Sequence, residues 1–85
     1  MRLGTVAGSV WATKKSPGLR GQPLLLVRMD GRLIVAADLV GAGVGEQVLL
    51  AFGSAARIEA PGAPADAAIV GIVDSMEEEE GHVGQ

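Results

Sequence analysis

The chain has no cysteine, and its one histidine among 85 residues is His82. Disulfides and thiolate-held zinc are therefore excluded, and a single histidine in a polar stretch does not build a histidine-rich metal site. Aromatic residues are almost as scarce: Trp11 and Phe52 are the whole supply. Modules that hold single-stranded nucleic acid stack bases on aromatic rings, so this scarcity weighs against that function. A basic excess is missing too. Residues 1–76 carry seven basic and six acidic side chains, and the other four acids are Glu77 to Glu80. A nearly neutral body with an acidic tail has no general electrostatic grip on phosphates. No apolar run approaches the ~20 residues that span a bilayer. Met1 to Val6 reads as the opening of a strand and not as a secretory segment. The expectations are no cofactor, no metal, no nucleic acid, no membrane and a cytoplasmic location.

What is abundant is aliphatic. The apolar fraction is 48%, carried by Val, Leu, Ile and Ala. At 85 residues this is one small domain, expected over residues 1–76, followed by an acidic, disordered tail over 77–85. A domain of this size buries only about 60–65% of its unfolded surface and is marginal alone. With disulfides and metals excluded, association with further copies is the remaining remedy.

Strand signals fill the body. Leu3 to Thr13 alternates, with Leu3, Thr5, Ala7, Ser9 and Trp11 on one side, and Gly4 and Gly8 marking bends. Lys14 to Gly21 is a loop. Leu24 to Met29 is a second strand, and Asp30-Gly31 is a strong hairpin signal leading to a third at Leu33–Ala37. Gln47–Phe52 is the fourth and Ala67–Val73 the fifth. Gly53 to Ile58 reads as a short helical turn with Ser54 as N-cap, and Ala60 to Ala65 as loop. Five strands and one short helix point to an all-β fold, a small closed or nearly closed barrel, which also removes exposed edges.

Two strands, Leu24–Val27 and Ala67–Val73, are apolar on both faces. One face fills the barrel. No predicted helix is long enough to cover the other. Leaving large apolar side chains in water forgoes about 1.5–3 kcal/mol each. The expected cover is a neighbouring subunit; the alternative is the chain's own tail or loops.

Between strands three and four lies Gly41-Ala42-Gly43-Val44-Gly45-Glu46. Alternating glycines permit positive φ or close backbone approach. A dinucleotide fingerprint fails, because Glu46 stands where the third glycine belongs and a strand, not a helix, follows. The loop is either a flexible connector or a segment crowded against symmetry mates.

Other features carry less chemistry. Asp38-Leu39-Val40 and Asp74-Ser75-Met76 lack the Asp-Thr/Ser-Gly of aspartic proteases, so both aspartates read as turn caps or strand ends. Ser54 and Ser75 have no histidine base in the body. No enzyme is indicated. Lys14, Lys15 and Arg20 make a local basic loop that suits an acidic edge of a partner protein. Glu77 to Glu80 in several copies would repel one another and splay into solvent.

Several segments together resemble the EutN/CcmL family, the pentameric vertex proteins of bacterial microcompartment shells. They are Leu3–Val10 with Ala12–Lys15; Gly21–Val27; Ala37–Glu46 with Val48-Leu49; Gly53–Arg57; and Asp66–Asp74. They run in the family's order to Asp74, and the tail after Met76 is not part of the pattern. The resemblance implies an oligonucleotide/oligosaccharide-binding type of barrel, five copies in a ring, hexameric shell proteins as partners, and no catalysis. It places Gly41, Ala42, Gly43, Val44, Gly45 and Glu46 near the five-fold axis, around a narrow opening. With the apolar strand backs, it makes Leu24, Leu26, Ile69 and Ile72 the expected subunit contacts. The alternative reading is a monomeric binding module for single-stranded nucleic acid or a small ligand.

Overall fold

Alternating apolar residues and two turn signals lay down strands β1 (Arg2–Val10), β2 (Leu24–Met29), β3 (Arg32–Asp38) and β4 (Gln47–Phe52), then helix α1 (Gly53–Glu59) and strand β5 (Ala67–Ile72). The computed structural model describes residues 1–59 and 66–78. The loop expected at Ala60–Ala65, most of the acidic tail and His82 lie outside the described residues.

The strands close into a barrel in the order β1-β2-β3-β5-β4 and back to β1. All neighbours are antiparallel except β3 and β5, which pair in parallel with Ala37 opposite Ala68 and Asp38 opposite Ile69. The interior is filled by Val6, Leu25, Val27, Met29, Ala36, Val48, Leu50, Ala67 and Ile69. These are alternate residues of each strand, as a barrel with one interior requires. The hairpin between β2 and β3 turns on Asp30 (φ 52°) and Gly31 (φ 76°). Two successive positive φ values give the primed turn whose twist matches the strands.

Four expectations change. The alternation foreseen through Thr13 does not hold, because the β1–β2 register shifts between Val6 and Gly8. Beyond that bulge Ser9 pairs with Leu25, whose side chain is buried, and the strand ends at Val10. A bulge inserts one extra residue and so reverses which side chains face inward. Nor is Ser54 an N-cap. The helix begins at Gly53, directly after β4, and Gly53 makes the turn with φ 60°. Its N–H donates to the Asp66 carbonyl at 2.9 Å, which ties the start of the helix to the residue before β5.

That helix also corrects the view of β5. Ala56 packs with Ala37, Ala51 and Ala68, flanked by Leu24, Leu39 and Val70. The second face of β5 is thus partly covered by the chain itself. Seven residues suffice because the side chains beneath are mostly alanines. A helix so short is not stable alone; this packing holds it.

Gly4 marks a tight contact and not a bend. A Cβ there would stand 2.6 Å from Val27 Cγ1, 3.0 Å from Leu50 Cδ1 and 3.1 Å from the Arg28 carbonyl oxygen. At Gly8 nothing lies within 4 Å. Gly4→Ala should therefore destabilise by about 1–3 kcal/mol through overpacking, with Gly8→Ala changing stability far less. Urea unfolding at fixed protein concentration checks the pair.

Candidate assembly surface

The glycine loop is built on Asp38, the last residue of β3. Its side chain is buried, and its carboxylate accepts hydrogen bonds from three successive backbone N–H groups. Oδ1 takes Val40 and Gly41 at 3.1 Å each and Ala42 at 3.3 Å; Oδ2 takes Ala42 at 3.0 Å. An ionised acceptor facing several N–H donors makes stronger bonds than a neutral one. Gly41, at φ 76°, supplies the left-handed residue this turn needs. Ala42 then tucks against the barrel interior.

The far half of the loop is fixed just as firmly. The Gly43 N–H donates to Glu46 Oε1 at 2.6 Å, and the Glu46 N–H donates back to the Gly43 carbonyl at 3.1 Å. Gly45 (φ 90°) donates to the Val6 carbonyl at 2.9 Å, and Val6 donates to the Glu46 carbonyl at 3.0 Å. The loop is thus an ordered closure of one barrel end, tied to β1, and not a flexible connector. Its tip presents Val44 to solvent. Gly43 needs no left-handed backbone, and a Cβ there would meet only Glu46 Oε1 at 3.5 Å, an ordinary contact. Nothing within one chain demands glycine at this position.

The expected contact residues fall into three groups. Leu24 and Leu26 lie half-buried on the outer face of β2. Ile72, at the end of β5 opposite Val48, is exposed at the barrel mouth. Ile69 is different: its exposure is 0% and it belongs to the barrel interior. It is removed from the contact set, because a side chain already enclosed by its own barrel has no surface left for a neighbour.

Three residues that sequence reasoning missed lie on the outside. Leu26 pairs with Val35, Arg28 with Leu33, and Leu3 with Leu49. Leu3, Leu33 and Val35 are each close to half exposed. The signal was present, since Leu33-Ile34-Val35-Ala36-Ala37 is as unbroken an apolar run as Leu24–Val27. The outer faces of β2 and β3 therefore join in one apolar strip. Isolated exposed leucines are ordinary, but a continuous strip marks a place for another molecule.

Over residues 1–74 the chain matches the family described as ethanolamine utilisation protein EutN/carboxysome. It belongs to that family. It is 49% identical over 89 residues to the bacterial microcompartment shell vertex protein PduN of Salmonella typhimurium, spanning 89% of this chain and 98% of that protein. It is 47% identical over 85 residues to the carboxysome shell vertex protein CcmL of Synechocystis, spanning 89% and 85%. Among solved structures, the GrpN pentameric microcompartment shell protein from Rhodospirillum rubrum superposes with a TM-score of 0.83 at 43% identity, covering 93% of this chain and all of that one. The barrel foreseen from the strand pattern is thus the family's fold.

Two substitutions separate folding from association. Asp38→Ala leaves three N–H groups without their acceptor and should cost about 2–3 kcal/mol, read as a lower urea midpoint at fixed concentration. Gly43→Leu should leave the barrel's circular dichroism unchanged and weaken association between copies, read by sedimentation velocity. Unchanged association would argue against this loop lying between copies.

Proposed function

We propose that this chain is a structural shell protein whose pentamers cap the vertices of a bacterial microcompartment in the cytoplasm. Likeness over most of the chain to proteins named shell vertex proteins, one of them, GrpN, a pentameric shell protein, carries the reading. The outer apolar strip supports it by supplying a surface that needs a cover.

The mechanism is geometric. A flat sheet of hexamers becomes curved when one six-membered unit is replaced by a five-membered one, because a wedge is removed and the edges must meet. A head-to-tail contact builds such a ring only if it repeats at the closing angle. In this reading the strip of Leu26, Leu33 and Val35, with Leu24 at its margin, buries against the next copy, and Ile72 at the barrel mouth adds to the contact. The loop Gly41–Glu46 faces the axis, where small residues let five backbones converge. Residues 1–76 form this vertex domain and 77–85 an acidic extension. The partners are four further copies and the hexameric shell proteins around them. Neither catalysis nor a cofactor is required.

Shell assembly tests the proposal. Hexameric shell proteins co-expressed with this chain should give closed polyhedra by electron microscopy, and without it open sheets or elongated tubes. Equal closure in both cases would overturn the vertex role. Val35→Asp, which places a charge in the strip, should behave as the omission does.

A further inference from the structure

The connection between β1 and β2, residues 11–23, carries features that the vertex role does not use. An open groove of about 290 Å³ runs along the base of this connection between Val10, Trp11, Pro23 and Leu24. Trp11, the chain's one tryptophan, is 89% exposed at its rim. The groove shares Lys15 and Gly21 with a second cleft of about 460 Å³, lined by Lys14, Lys15 and Arg20. An apolar trough thus continues into a cationic one. The walls are tied down: Gln22 Nε2 donates to the Pro23 and Asp38 carbonyls at 2.9 and 3.0 Å, and Lys15 Nζ reaches the Gln22 carbonyl at 3.4 Å.

The chain contains a segment of matching order. Met76, exposed at 55%, is followed directly by Glu77 and Glu78, both exposed, and the acidic run continues in sequence through Glu80. This segment lies beyond the residues matched by the family. It leaves the barrel at the end from which the β1–β2 ribbon projects. There the Val73 N–H donates to the Gln47 carbonyl, beside the Val6–Glu46 pairing, and β1 continues past Val6 to Val10. Within one chain no ion pair joins the two parts, since Arg2–Asp30 is the one ion pair among the described residues.

We propose that Met76, Glu77 and Glu78 of one copy dock in this groove on a neighbouring copy, with Met76 against Trp11 and the carboxylates against Lys14, Lys15 and Arg20. The proposal rests on the ring reading above. Methionine suits an irregular apolar slot beside an aromatic ring. The three residues between Val73 and Glu77 span up to about 10 Å when extended, enough to leave one barrel end for an adjacent copy. Each docked tail meets its own cations, which relieves the mutual repulsion that would otherwise splay the tails. Leu24, one of the expected contact residues, would then touch the neighbour's tail.

Trp11 is a built-in probe. Acrylamide quenching of its fluorescence is compared between the full chain and the variant Met76→Ser/Glu77→Lys/Glu78→Lys, with the mass of each sample measured alongside. In the assembled full chain Trp11 should be shielded. The shielding should be lost in the variant without change of assembled mass. It should also weaken at about 1 M salt, where the screening length is about 3 Å. Equal quenching in both chains, whether both shielded or both open, overturns the proposal. Shielding that survives dilution to single chains assigns the contact to the chain's own tail and overturns the neighbour. A single-chain mass at every concentration overturns the vertex reading, and this proposal with it, by a separate readout.

Discussion

A barrel of five short strands has one interior, and half of every strand must turn away from it. That constraint governs this molecule. The interior holds Val6, Val27, Val48, Leu50 and Ile69 essentially without exposure. Alternation then sends Leu24, Leu26, Leu33 and Val35 outward. Helix α1 covers the alanine-rich patch formed by Ala37, Ala51 and Ala68. It does not extend to Leu26, Leu33 and Val35. At about 1.5–3 kcal/mol for each large apolar side chain taken fully out of water, covering these residues is comparable to the ~5–15 kcal/mol that holds a small domain folded. In the proposed ring, a neighbour that covers them would tie the stability of the subunit to association.

The same constraint explains the ends of the barrel. The parallel seam between β3 and β5 spans two residue pairs, and β3 stops there. The chain must then cross from Asp38 to Gln47 over an open end, where backbone groups have no strand partner. Asp38 meets this need by gathering three N–H groups, and the Val6 backbone meets it from the other side. Buried backbone groups must find partners somewhere. Here they find them in a way that leaves Gly43 and Val44 exposed.

Much of this was legible in the sequence. Short apolar runs separated by turn residues sufficed for five strands, and Asp30-Gly31 sufficed for the hairpin. The glycine loop stood out, and Asp38 read as a cap from its place at a strand end. What was not legible depended on phase and on third dimensions. A one-residue bulge after Val6 leaves no mark in composition, yet it moves Ser9 to the side of Leu25. Ile69 and Ile72 look alike in an apolar run, but one is enclosed and the other sits at the mouth. The covering role of α1 has no signature in the sequence, because a seven-residue helix matters only when what lies beneath it is alanine. The strip on β3 is written in Leu33 and Val35, which repeat the outward pattern of Leu24 and Leu26 on β2.

The central claim is that copies of this chain cover one another's outer sheet. Native mass spectrometry of the purified full chain across a dilution series tests it most directly. The account requires a species of five times the 8.6 kDa chain that persists on dilution. A species of one chain at every concentration, with no binding of a dye that senses apolar surface, would contradict it.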